Sequence, residues 1–351
     1  MNKPLSLFLI ATLFISFITF AEASEFSDNE VDGPDTFCFA AAVNDKITDY
    51  ISVTSYEQSS DWNDIDHEQK IVTIKSVLKD LGMREKNIEL LNEDALQSLI
   101  TAKRITLSTC YTKTDQWGHT EYVSPEEALN AAKVEQEKLE LLAASQTGNG
   151  VRTSNVSSYF QDFYMRIDYT VSYQGNGQYL FMVDSEWLTM PAFRGRDSLG
   201  ACAMNGTVVP GSRYGYYYYT YTESDYTGAT SSDIVLQEIA SDYTNAINGN
   251  WYGSACSFVL PNDYNNDDSS LYCYDFCAHF QYRGYVTAPA APANFNTVGS
   301  YSHRKFSIDL SPSITISFST YLSASIGFNS TPILNSVDVR GVELLIQYTP
   351  D

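Results

Sequence analysis

The sequence predicts an α+β protein: a small helical N-terminal segment followed by a mainly antiparallel β-sandwich domain. Three observations predict it. Residues 24–150 place apolar side chains at helical spacing. Beyond Gly150, short alternating runs are separated by Gly, Pro and Asn turns, the pattern of an antiparallel sandwich. Composition also changes at that point: Lys305 is the one lysine after Gly150, and most of the 26 tyrosines lie there. The polar stretch Gln146-Thr147-Gly148-Asn149-Gly150 reads as a linker, giving regions 1–23, 24–150 and 151–351.

Residues 1–23 read as a signal peptide. Lys3 supplies the basic start, Leu5 to Phe20 form an uncharged core, and Ala21-Glu22-Ala23 is the small-x-small cleavage pattern. The apolar run is short for a bilayer span, which needs about 20 apolar residues, and acidic Glu22 and Glu25 follow it. The expected product is secreted and extracellular, with no membrane span after cleavage.

From Ile71 the elements follow in order. Ile71, Ile74, Leu78 and Leu81 make a helical stripe that Gly82 ends. Ile88, Leu90 and Leu91 suggest a short helix, and Asn92 caps a third over Leu96, Leu99 and Ile100. Ile105, Leu107 and Thr109 alternate as a strand, and Gly118 turns the chain into Glu121-Tyr122-Val123. Ser124-Pro125-Glu126-Glu127 opens a charged helix reaching about Ser145. Then come strands at Tyr164–Val171 and Tyr179–Leu188 around a Gln174–Gln178 turn, Thr207–Val209 and Arg213–Thr222. Phe306–Phe318, Tyr321–Phe328 and Val337–Tyr348 complete the β pattern. Ile234, Leu236, Ile239 and Tyr243 suggest one helix across Asp233–Ile247.

The formal net charge of −22 opposes nucleic acid and anionic membrane surfaces and leaves cations and neutral partners such as glycans. Cys38, Cys110, Cys202, Cys256, Cys273 and Cys277 are an even set in an exported chain and read first as disulfides. Zinc at Cys256, Cys273, Cys277 and His279 is the competing reading, although the spacing is not that of the paired zinc motifs.

Leu81-Gly82-Met83, Ile88, Leu91 and Leu96, with Ile105-Thr106-Leu107-Ser108-Thr109, Tyr111 and Lys113, resemble the front of a group of exported Gram-positive bacterial proteins. Trp251-Tyr252-Gly253, Leu260-Pro261-Asn262-Asp263 and Tyr301-Ser302-His303 resemble its back. That group has no established function; the resemblance implies secretion and a β-rich C-terminal domain, and transfers no catalytic residue.

Two constellations are candidate sites. Asp263, Asn265 and Asp267 match the first three ligand positions of a calcium loop, so calcium is the cofactor the sequence suggests. The Gly expected at the sixth position is Asp268, and the Glu at the twelfth is Tyr274. In the tyrosine run, Tyr214, Tyr216 and Tyr218 share one strand face and Tyr217, Tyr219 and Tyr221 the other. With Trp187 and Trp251 the first set would form a platform for stacking on sugar rings. No catalytic motif is complete, so the expected function is a secreted non-enzymatic binding protein for a glycan or surface protein.

Three other readings have a residue basis. Asp184 and Glu186 on one strand face could serve a glycosidase-like hydrolase. Cys277 and His279 share a face but lack a visible orienting group. The Ser/Thr-rich alternation of Ser311–Thr331 could serve a β-pore former. For the leader, Edman sequencing of the exported protein should begin Ser24-Glu25-Phe26; a start at Met1 would contradict cleavage.

Overall fold

The computed structural model describes residues 36–37, 41–43, 46–48, 51–58, 62, 66–115, 120–146, 162–191, 194–225, 230–239, 243–248, 251–259, 261–265, 269–287, 295–304, 314–318, 324–328, 338–339 and 343–348. The signal peptide, Cys38, Asp267 and the Thr147–Gly150 stretch lie outside the described residues. The chain is mostly antiparallel β-sheet, consistent with a β-sandwich.

The strands are β1 (Ile51–Glu57), β2 (Arg104–Thr114), β3 (Thr120–Val123), β4 (Phe163–Gly175), β5 (Gln178–Trp187), β6 (Arg196–Met204), β7 (Gly206–Val208) and β8 (Tyr214–Asp225). They continue with β9 (Thr230–Glu238), β10 (Tyr243–Asn248), β11 (Trp251–Val259), β12 (Ser269–Val286), β13 (Phe295–Arg304) and β14 (Glu343–Tyr348). Among the described residues four helices interrupt them: α1 (His67–Asp80), α2 (Glu85–Glu89), α3 (Glu93–Ile100) and α4 (Pro125–Gln146). The larger sheet runs β1-β2-β4-β5-β12-β8-β9, and the smaller runs β10-β11-β6-β13 with β14 beside β13. Because β2 pairs with β4 from Arg104↔Tyr173 to Thr114↔Phe163, the chain on both sides of the predicted linker enters one sheet.

The central strands are buried on both faces, and strand alternation sorts their residues. From β5, Tyr179, Phe181 and Val183 join Tyr169, Phe276, Phe280, Leu199, Ala201, Cys256 and Tyr301 in the core between the sheets. The intervening Leu180 and Met182 join Ile105 and Leu107 beneath the helices, packed on Ile74, Leu78, Ile88 and Leu99. Helix ends follow their local chemistry. The Asp66 carboxylate accepts from the Gln69 N–H at 2.8 Å, and Asn92 Oδ1 from the Ala95 N–H at 2.9 Å. Ser124 Oγ accepts from the Glu127 N–H at 3.1 Å and opens α4. Gly82, at φ +101°, ends the α1 turn in a conformation that suits glycine.

The helix expected over Asp233–Ile247 is instead β9 and β10, with residues 240–242 outside the described residues. Ile234 and Leu236 also fit a period of two, and β8 supplies a partner for β9 while β11 supplies one for β10. Tyr217↔Gln237 and Tyr221↔Asp233 lie in its ladder, and the Tyr217 hydroxyl donates to Gln237 Oε1 at 2.6 Å. Within Ser311–Thr331, Ile314–Phe318 and Ala324–Phe328 pair as a two-stranded sheet of their own; their side chains are outside the described set.

No disulfide forms among the described residues, contrary to the even-count expectation. Cys110, Cys202, Cys256, Cys273 and Cys277 are buried thiols. Cys256 lies in the apolar core between the sheets, whereas Cys277 donates to Asn87 Oδ1 on the helix-facing side. Facing residues between the sheets differ in size. A Cβ on Gly299 would sit 2.6 Å from the Tyr169 ring, whose hydroxyl bonds Thr297 on the smaller sheet. Gly299→Ala should therefore lower unfolding stability by about 1–3 kcal/mol, read by urea denaturation; an unchanged midpoint would contradict this packing.

Candidate functional site

The helix-facing side of the larger sheet turns polar at its centre. Alternation on β5 and β12 places Asp184, Glu186, Cys277, His279 and Gln281 there, and β8 adds Tyr214, Tyr216 and Tyr218. Helix α2 and the turn before α3 cover them with Arg84, Lys86, Asn87 and Asn92. Asn87 Nδ2 donates to Asp184 Oδ1 at 3.0 Å. The Tyr218 hydroxyl and the Cys277 thiol both point at Asn87 Oδ1, at 3.3 and 3.4 Å.

The charge of His279 can be traced from a helix cap. Asn92 Oδ1 caps α3 and also lies 3.1 Å from Gln281 Nε2, so the Gln281 amide must donate there. Gln281 Oε1 then faces His279 Nε2 at 3.0 Å and can only accept. Nδ1 lies 2.9 Å from Asp184 Oδ1, a second acceptor. Both ring nitrogens carry protons, and His279 is an imidazolium. Burial works against that charge, but Asp184 and Gln281 outweigh it and hold the ring's pKa above the usual histidine range.

Tyr216 and Tyr218 lie within this network, buried. The Tyr216 ring stacks on His279 with centroids 4.8 Å apart, and Lys86 Nζ sits 3.8 Å over the Tyr218 ring. Their π-faces serve the protein's own cations, so the expected sugar platform does not form from them. Tyr214 is half-buried beside Tyr216. Trp251 is buried at the end of β11, and Trp187 packs against Phe163 and His303. The strand alternation read from sequence holds; what it left out is that helices cover this face.

Cys277 has the orienting group the sequence left unseen, since Asp184 holds His279. The thiol is nonetheless pushed far up by burial and the Asp184 charge, and His279 Nε2 faces Gln281 rather than sulfur. This set is a charged core network, without a nucleophile. Asp184 likewise lies beneath α2, apart from Glu186's outer surroundings. Asp263 is clasped by Arg194 through both carboxylate oxygens, at 2.7 and 2.9 Å, and accepts from the Cys273 N–H. The Asn265 side chain is outside the described set. Among the described residues no three His, Cys, Asp or Glu gather as metal ligands.

Beside the network, α4 and the ends of β5 and β12 enclose a cleft of about 410 Å³. Tyr272 and Tyr274 give it aromatic surface over the buried Trp187; Glu135, Glu186 and Asp275 give it carboxylates and Lys133 an ammonium. Tyr272 and Tyr274 lie with near-parallel rings 6.1 Å apart, and the Tyr272 hydroxyl reaches toward Glu135 on α4. Glu186 pairs with Arg84 at 2.9 Å, yet burial outweighs the guanidinium and raises its pKa. Asp275 belongs to a β-bulge: the β8–β12 register shifts between Tyr218 and Thr220, and Asp275 adopts φ +51°. Of these residues, the sequence reading singled out Trp187 and Glu186. Tyr272, Tyr274 and Asp275 were missed because their grouping depends on the bulge and on α4.

The His279 folded-state pKa is raised, so the pair's contribution is full below the unfolded value near 6.5. It is lost as pH climbs through the folded value. Asp184→Asn should cost about 3 kcal/mol at pH 6, with the gap to wild type narrowing at higher pH. Urea denaturation from pH 5 to 9 measures it; a pH-independent gap would contradict the imidazolium assignment.

Comparison with known proteins adds little. No family model and no curated protein matches the chain. One solved structure with a detectable likeness is described as AvmM, which catalyses macrocyclization in alchivemycin A biosynthesis. It is 9% identical, covers 50% of this chain and 81% of its own, and has a TM-score of 0.23. That likeness is too slight to place the chain in a family.

Proposed function

We propose that the protein is an exported β-sandwich that binds a glycan in the cleft between α4 and the larger sheet. The observation carrying this reading is the lining itself: two partly exposed tyrosines, Tyr272 and Tyr274, beside three carboxylates and Lys133 in one concavity of about 410 Å³. Aromatic faces offer apolar surface to the C–H faces of sugar rings, and carboxylates accept from their hydroxyls. Export rests on the Lys3-to-Ala23 leader. The net charge of −22 supports a partner that is not itself an anionic polymer. The binding surface is therefore Tyr272 and Tyr274 rather than the buried Tyr216, Tyr218 and Trp187. No observation brings two catalytic groups onto a substrate, and binding without turnover remains the reading.

A glycan array followed by isothermal titration tests it. Wild type should retain at least one neutral oligosaccharide, and Tyr274→Ala should weaken it at least tenfold with unchanged circular dichroism. No retained glycan, or an unaffected Tyr274→Ala variant, would sink the reading.

A further inference from the structure

Strand β9 (Thr230–Glu238) ends the larger sheet, with β8 on one side and no strand on the other among the described residues. Its ladder fixes which backbone groups stay open. The Ile239 N–H donates to the Gly215 carbonyl at 2.8 Å, so alternation turns the backbone groups of Gln237, Val235 and Asp233 toward β8. Those of Ser232, Ile234, Leu236 and Glu238 therefore point away from the sheet. Consistent with that direction, the Ile234 N–H donates to the Asp233 carboxylate at 2.7 Å rather than to a strand.

Exposed edges are ordinarily blunted by lysine, proline, a bulge or a short strand. β9 has none of these: it is 9 residues long, holds no Lys, Arg or Pro, and keeps one register along β8. It also carries Ile234 and Leu236 on one face, at 54% and 53% exposure.

The strand complements itself. Set two copies antiparallel about a two-fold axis at Val235, and Ile234 of each faces Leu236 of the other. Both residues direct their backbone groups outward, so each such pair exchanges N–H···O=C bonds, with two apolar pairs on one face. On the other face Asp233 meets Gln237 of the second copy. Gln237 Oε1 already accepts from the Tyr217 hydroxyl, which leaves Nε2 to donate to that carboxylate. Glu238 meets Ser232, so no acid faces an acid. Centring the pair on Ile234 instead would set Leu236 against Ser232 and Asp233 against Val235, and both matches would be lost.

We propose that β9 is a dimerisation edge whose partner is a second copy of this chain, paired antiparallel about Val235. No β9 residue lines the cleft, so this interface is independent of the glycan reading.

Sedimentation velocity over a loading series tests it, at about 0.15 M salt so that repulsion between two chains of net charge −22 is screened. Wild type should show a monomer–dimer equilibrium. Leu236→Lys should weaken the dimer at least tenfold with unchanged circular dichroism. Val72→Lys replaces a comparably exposed apolar residue on α1 and should leave the dimer intact. Val235→Cys would place two thiols across the axis with Cα atoms about 4.5 Å apart, within disulfide reach. It should give an oxidised dimer on a non-reducing gel that wild type does not give. A wild type that sediments as a monomer throughout would overturn the proposal. So would an unaffected dimer in Leu236→Lys, an equal loss in Val72→Lys, or no cross-link in Val235→Cys. The cross-link decides the matter even where Leu236→Lys fails to fold.

Discussion

Two-sided burial of the central strands is the constraint on which the rest of this molecule depends. Strands β4, β5 and β12 have the smaller sheet on one side and helices on the other, so the residues along their middles meet protein. An apolar residue satisfies that condition by packing. A polar one must find partners, because an unpaired buried charge costs several kcal/mol. Asp184 and His279 stand opposite each other on β5 and β12; Asp184 Oδ1 bonds both His279 and Asn87, and Gln281 takes the other ring nitrogen. The cap of α3, through Asn92, reaches into the same network. Local helix chemistry and the charge state of a core histidine are therefore coupled.

The space between the sheets imposes a second requirement. Large rings project from the larger sheet: Tyr169, Phe181, Phe276 and Phe280. The smaller sheet answers with Ala201 and Ala203 on β6, Ser254 and Cys256 on β11, and Gly299 on β13. Close approach follows from that difference in size, as at Tyr169 and Gly299.

The same size difference decided what could be read from sequence. Helices α1, α3 and α4 were legible through the Asn92 and Ser124 caps and the Ile74, Leu78 and Leu99 spacing; β4, β5 and β8 were legible through aromatic and β-branched alternation. Strands β6, β11 and β13 were not, because Ser, Gly, Ala and Cys carry little intrinsic strand preference and acquire it by pairing. The Ile234–Tyr243 spacing suited two periods, and the β8 ladder chose between them. For the site, the face shared by Tyr214, Tyr216 and Tyr218 was readable, whereas its cover was not: α2 lies over 120 residues earlier in the chain. Asp275 was hidden for another reason. A bulge is a property of two strands in register, and one strand's sequence does not display it.

The cleft inherits its walls from these constraints. The buried network fixes α2 over the sheet; α2 positions Arg84 and Lys86 against Asp275, and Trp187 links the cleft to the packing around His303. A ligand should then meet a preformed surface. NMR chemical-shift mapping tests this most directly, with the protein titrated by a neutral oligosaccharide. The account predicts shifts concentrated at Glu135, Trp187, Tyr272, Tyr274 and Asp275, with Tyr216 and His279 nearly unmoved. Shifts centred on the β8 tyrosines, or on a surface away from α4, would contradict it.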